Sequence, residues 1–226
     1  MNTVRLRVAC LVVMTPVALG AAEKDQVVQT AKVAPPTELK KSIVSELSDD
    51  AVQVADMLGN VWATFWFRKA IPSDAAPEQV KNGLTYKEVA PTTLIGVVQF
   101  HRAWSDFRKQ EIAPGVYTLR LAVQPMDGDH QGTAPNNDFC LLVPANIDDG
   151  SGKLEVKALH ELSAQASGST HPAVMLLFPN DKPEETPQLV AKPGKLLALG
   201  VKRPVAAKGM MTHLGFSFVI VGHAQE

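Results

Sequence analysis

Cysteine is scarce in this chain, which contains only Cys10 and Cys140 among 226 residues. Cys10 lies in an N-terminal segment that we predict to be removed, so the mature protein keeps a single cysteine and can form no intramolecular disulfide. Cys140 lies within the apolar run 139–143, which predicts a buried, unreactive thiol. The stability of the mature protein must therefore come from its hydrophobic core.

An excess of positive charge is also lacking. The chain carries 22 Lys and Arg side chains against 23 Asp and Glu side chains. Two of the basic residues, Arg5 and Arg7, lie in the segment predicted to be removed, so the mature chain is slightly acidic. Proteins that bind nucleic acids usually have a basic domain with clustered Lys and Arg. We therefore predict that nucleic acid is not a partner.

Long apolar runs are missing after residue 19. The run 8–19 follows two arginines and precedes the small residues Gly20 and Ala22. This order is typical of a secretory signal peptide, and the run is shorter than the roughly 20 residues that a membrane-spanning helix needs. We predict a signal peptide over 1–22, a secreted or periplasmic location, and no integral membrane segment after cleavage.

The remaining chain is rich in short apolar segments separated by turn residues. We predict a polar, poorly ordered lead-in over 23–44 and one domain over 45–226. The helical spacing of apolar residues over 153–166, with Gly168 beyond it, predicts one helix. The pattern favours a mainly antiparallel, single-domain β-sandwich, jelly-roll-like, with one or two short helices. The predicted strands are 52–54, 61–67, 93–101, 116–123, 138–143, 172–178, 189–191, 195–201 and 212–221.

One stretch, residues 114–145, resembles a known family. It contains G-V-Y-T-L-R, then D-G-D-H-Q-G, then D-F-C-L-L-V-P. These motifs are similar to those of uncharacterised secreted proteins of planctomycete- and acidobacterium-type bacteria, as are FWFRKAIP at 65–72 and HPAVMLLFP at 171–179. The resemblance implies export and a β-rich domain. It implies no activity and no site residue.

The loop 126–138 is the best candidate for a ligand site. It gathers the oxygen and nitrogen ligands Asp127, Asp129, His130, Asn137 and Asp138 within a dozen residues. Hard cations bind carboxylate and amide oxygens, and histidine can join them for Zn²⁺ or Mn²⁺, so Asp129 and His130 are candidate ligands of a divalent metal. The alternative is a connecting loop in which Asp and Asn side chains cap their own backbone turns.

The aromatic residues offer a second kind of site. Trp62 and Trp66 share one face of a predicted strand, and Phe65 and Phe67 share the other. Either both faces are buried, or one face presents two tryptophans that can stack on sugar rings.

Three hypotheses of function follow. The first is a non-catalytic binding or interaction module of the cell envelope, with an envelope protein or a carbohydrate as partner. The second is a metal-dependent enzyme that uses the loop from Asp127 to Asp138 with one or two histidines. The third is a structural accessory subunit. Standard catalytic signatures are missing, since His160-Glu161 on the predicted helix is followed by Ala164 where a second metal-ligating histidine would stand.

Export makes a direct prediction about the mature N-terminus. Gly20 at −3 and Ala22 at −1 suit signal peptidase, so the exported protein should begin at Glu23. Intact-mass spectrometry of the protein recovered from the periplasm or medium checks this. A mass that corresponds to Ala21 would indicate the alternative cut after Gly20, and recovery of the uncleaved chain in the membrane fraction would contradict the prediction.

Overall fold

The protein is described by a computed structural model over residues 26–124, 134–150 and 152–224. The described ranges contain three helices: α1 (Lys41–Val44), α2 (Pro77–Asn82) and α3 (Val156–Ser167). Their strands are β1 (Gln26–Lys32), β2 (Leu47–Asp56), β3 (Val61–Arg68), β4 (Ile71–Ser73), β5 (Leu94–Phe100), β6 (Trp104–Ser105), β7 (Glu111–Ile112), β8 (Gly115–Val123), β9 (Asp138–Pro144), β10 (Val174–Leu176), β11 (Gln188–Lys192), β12 (Leu196–Ala207) and β13 (Met210–Val221).

The strands form two main sheets. The larger sheet has seven strands in the order β1-β2-β3-β5-β8-β9-β10, so its neighbours follow one another along the chain, and every pair is antiparallel. The smaller sheet contains β11, β12 and β13, with β4 parallel to the second half of β12. A short ribbon joins β6 to β7. The predicted mainly antiparallel, β-sandwich-like single domain is confirmed.

The main core lies between the two sheets. Phe65 and Phe67 point inward from β3, and Phe216 and Phe218 point inward from β13; all four side chains are fully buried. The ring centroids of Phe67 and Phe218 are 5.4 Å apart, and those of Phe216 and Phe218 are 5.6 Å apart. Such aromatic pairs add packing energy beyond the area that they bury. Cys140 belongs to this core, as predicted, and burial raises the pKa of its thiol.

The outer face of the larger sheet is also covered, which the alternation in β3 left undecided. Residues 33–47 lie over one half, where Ile43 packs near Trp66, and α3 lies over the other half. The Trp66 indole N–H donates to the Val33 carbonyl at 2.8 Å, and the side chain is only 1% exposed. Trp62 is 4% exposed and lies beneath the guanidinium of Arg102. The interpretation of these tryptophans as an exposed sugar-stacking surface is therefore wrong.

Three details of the predicted architecture need correction. The segment 23–44 is not a poorly ordered lead-in over its described part, because β1 pairs with β2 along its whole length and α1 buries Ile43. The described ranges hold three helices rather than one or two. Strand β12 extends to Ala207, beyond the predicted end at residue 201, and Pro204 within it stands opposite His213 of β13.

Among the described residues, no helix is both long enough and apolar enough to cross a membrane.

Candidate functional site

A cleft opens where β8 ends and β9 begins. We call it the Tyr86 cleft. Its volume is about 510 Å³, within the range of small-molecule sites. One wall comes from the segment 86–91, and the other comes from the end of β8 and from residues 135–138. The lining residues are Tyr86, Lys87, Val89, Pro91, Val123, Pro135, Asn136, Asn137 and Asp138.

The first wall is fixed by a 3₁₀ turn, Tyr86–Glu88. The side chain of Thr85 accepts a hydrogen bond from the Lys87 N–H at 3.3 Å, while the Glu88 carboxylate accepts from the Thr85 N–H at 2.7 Å. This reciprocal pattern is a capping box, which satisfies the free N–H groups at the start of a helical turn. The Ser73 hydroxyl also donates to the Glu88 carbonyl at 2.6 Å. The backbone that carries Lys87 is therefore held on both sides.

Tyr86 anchors the floor of the cleft to the opposite sheet. Its hydroxyl donates to the Phe178 carbonyl at 2.7 Å and accepts from the Ser217 N–H at 3.2 Å. Its ring packs against Phe216 with centroids 5.2 Å apart. Burial raises the pKa of the Tyr86 hydroxyl, so the group stays a neutral hydrogen-bonding group. Its two bonds to backbone groups indicate a structural role.

The back of the first wall depends on a buried ion pair. Arg120 on β8 and Asp148 have fully buried side chains, and the guanidinium donates to both carboxylate oxygens, at 2.7 and 2.6 Å. The other guanidinium N–H groups donate to the Thr92 carbonyl at 2.9 Å, to the Gly152 carbonyl at 2.8 Å and to the Gly150 carbonyl. All five donors of the arginine are therefore used. We call this set of five residues the Arg120 clamp.

The Arg120 clamp fixes Thr92, the residue next to Pro91 in the cleft wall. Thr92 has a positive φ of 65°, which is uncommon outside glycine. Its N–H donates to the Leu121 carbonyl at 2.7 Å, and its hydroxyl accepts from the Leu154 N–H at 3.0 Å. Three residues, Arg120, Leu121 and Leu154, thus hold Thr92 in its strained conformation, and this fixes the position of Pro91 beside it.

The second wall is an extension of the sheet. Val123 pairs with Asp138, and the Gln124 N–H donates to the Asn137 carbonyl at 2.8 Å. The Leu177 N–H donates to the Asp138 carbonyl at 3.0 Å, so the first residue of β9 is bonded on both sides. The Val123 side chain is 46% exposed, which is unusual for an apolar residue on an otherwise buried strand.

The two walls carry opposite charges. Asp138 is half-buried, and burial raises the pKa of its carboxyl group, while the positive charge of Lys87 opposes that rise. No ion pair joins the two side chains among those formed by the described residues. The amide nitrogen of Asn136 is shielded from solvent and has no hydrogen-bond partner among the described residues.

The predicted site residues have different outcomes. Asn137 and Asp138 line the Tyr86 cleft, and their role in ligand binding stays a prediction. Asp127, Asp129 and His130 lie outside the described residues, so the divalent metal at Asp129 and His130 stays a prediction. Among the residues that the structure describes, no group of three or more His, Cys, Asp or Glu side chains is placed to hold a metal ion.

His101, His213 and His223 lie in three different surroundings. The His101 ring is hydrogen-bonded to the Thr64 hydroxyl at 2.9 Å, and the His223 ring to the Asp106 carbonyl at 3.0 Å. His213 lies by Lys202 in a separate small depression of the second sheet.

The first wall and the Arg120 clamp were not predicted from the sequence, although the sequence contains indications of both. Thr85 and Glu88 have the spacing of a capping box, which predicts a fixed turn at Tyr86 and Lys87. Arg120 stands in an otherwise apolar strand, and a charge there requires a partner of opposite charge. Asp148, which begins the sequence Asp148-Asp149-Gly150, is that partner.

Comparison of the chain with protein-family models, with curated proteins and with solved structures finds no match in any of the three. The resemblance to secreted bacterial proteins therefore stays a prediction.

The Arg120 clamp predicts a large loss of stability when one charge is removed. Arg120→Met leaves Asp148 buried without its counter-charge, and three backbone carbonyls lose their donor, so we expect a loss of about 3–5 kcal/mol in the free energy of unfolding. Urea denaturation measures it. Arg108→Met, at an exposed arginine, is the control and should change stability by less than about 0.5 kcal/mol. A loss below about 1 kcal/mol for Arg120→Met would contradict the role of the clamp.

The raised pKa of Asp138 predicts that the variant Asp138→Asn becomes more stable than the wild type as the pH rises. Its folded-state pKa is raised above the ordinary value of 3.8, so ionisation costs stability as the pH rises through that range. Asp138→Asn cannot ionise. We expect the variant to match the wild type below pH 3.8 and to become relatively more stable towards pH 7, by less than about 1 kcal/mol because the group is half-exposed. Urea denaturation across this pH range checks the sign, and a relative loss with rising pH would contradict it.

Proposed function

We propose that this protein is an exported, non-catalytic binding protein of the cell envelope and that the Tyr86 cleft is its ligand site. The observation that carries the proposal is the convergence of Lys87 and Asp138, two side chains of opposite charge, in one open cleft with apolar walls. Ligand sites combine mostly apolar surface with a few placed polar groups in this way. The signal-peptide pattern over 1–22 supports export.

The rigidity of the walls is further support. The capping box at Thr85 and Glu88 holds one side of the cleft, and the Arg120 clamp holds its back. Preorganised polar groups lose little freedom when a ligand binds, so more of the contact energy contributes to affinity. The lining groups also have the chemistry of recognition, since no nucleophile stands beside a base among the nine lining residues.

A screen of small polar compounds by thermal unfolding tests the proposal. Any compound that binds only the folded protein raises its melting temperature, by a shift that grows with ligand concentration. We expect at least one class of compounds to stabilise the purified protein and to lose this effect in Val123→Trp, where a bulky side chain at a 46% exposed position fills the cleft.

Val156→Trp is the matched control, because Val156 is a valine that is 54% exposed on α3 and does not line the cleft. The control should respond to the same compounds as the wild type. No stabilising compound, or equal stabilisation of the wild type and Val123→Trp, would overturn the proposal that the cleft is the site.

A further inference from the structure

The cleft carries one positively charged and one negatively charged side chain. Lys87 is exposed on the 3₁₀ turn, and Asp138 is half-buried at the start of β9. They are near enough for the ammonium group to lower the pKa of the carboxyl group, and yet no ion pair joins them. A ligand that binds both side chains must itself carry two charges of opposite sign.

The two charged groups of the cleft suit different ends of a ligand. Lys87 offers a cation to a carboxylate, and Asp138 offers a carboxylate to an ammonium group.

The remaining surface is apolar. The side chains between the polar groups are Val89, Pro91, Val123 and Pro135. Proline and valine bring no hydrogen-bonding side-chain group, so this surface suits aliphatic side chains of a ligand. The volume of about 510 Å³ exceeds what a free amino acid would fill.

We infer that the Tyr86 cleft binds a short zwitterionic peptide, with its carboxylate at Lys87, its ammonium group at Asp138 and aliphatic side chains on the apolar surface. The inference rests on the proposed function and names the ligand class of the same cleft.

Titration calorimetry with three probes tests the inference. The probes are L-leucyl-L-alanine, its N-acetyl derivative, which lacks the ammonium group, and its C-terminal amide, which lacks the carboxylate. At neutral pH and low salt we expect the free dipeptide to bind and each blocked derivative to bind at least about tenfold more weakly, because each loses one charge-assisted contact.

Two variants assign the charges to their residues. Lys87→Met should lose the discrimination between the dipeptide and its amide, and should still discriminate against the N-acetyl derivative. Asp138→Asn should do the reverse. Lys81→Met is the control, because Lys81 is an exposed lysine on α2 outside the cleft, and it should bind like the wild type. If either residue had only a structural role, its substitution would weaken the binding of all three probes together.

The outcomes separate this inference from the proposed function. Equal binding of the blocked derivatives, or no binding of any of the three, overturns the zwitterionic peptide. If another compound still stabilises the wild type and not Val123→Trp, the cleft remains a ligand site of a different class. If the dipeptide binds Val123→Trp as tightly as the wild type, both the inference and the proposed site are wrong.

Discussion

The buried pair of Arg120 and Asp148 is the interaction on which the candidate site depends. A charged pair with no exposure to solvent is tolerated only where every donor and acceptor is satisfied. Here the guanidinium binds the carboxylate and three backbone carbonyls from two separate segments. The pair therefore does more than neutralise charge, because it ties the segment before β5 and the segment before α3 to the middle of β8.

This connection explains why a cleft is present at this end of the sandwich. Residues 33–47 and α3 cover the two halves of the outer face of the larger sheet. Thr92 is held in its strained conformation by the clamp, and Pro91 forms part of the cleft wall beside it. The opposite wall is ordinary sheet pairing at Val123 and Asp138. One wall is thus set by a polar network and the other by strand register.

Most of the fold could be predicted from the sequence, because apolar alternation and turn residues are local signals. The hairpin around Gly59, the strands ending at Val123 and Val221 and the helix ending before Gly168 all follow from such signals. Strand β1 could not be predicted this way. It lies at the edge of the sheet, its side chains are only partly buried, and its pairing with β2 brings together residues distant in sequence.

The site was predictable only in part. The polar composition near Asn137 and Asp138 is visible in the sequence, whereas their approach to Lys87 depends on the tertiary path of the segment 86–91. The burial of Trp62 and Trp66 could not be predicted from the sequence either, because alternation assigns residues to a face of the strand and does not show what covers that face. That a buried Arg120 requires some acidic partner can be predicted from the sequence. That the partner is Asp148 depends on the tertiary structure.

The most direct test of the account is a map of amide chemical shifts in the ¹⁵N-labelled protein during titration with L-leucyl-L-alanine. The account predicts concentration-dependent shifts at the backbone amides of Lys87, Val89, Asn137 and Asp138, with unchanged amides at the distant hairpin turn around Gly59. Shifts confined to other surfaces, or the absence of shifts at concentrations of several millimolar, would contradict the claim that the Tyr86 cleft is where this protein binds its ligand.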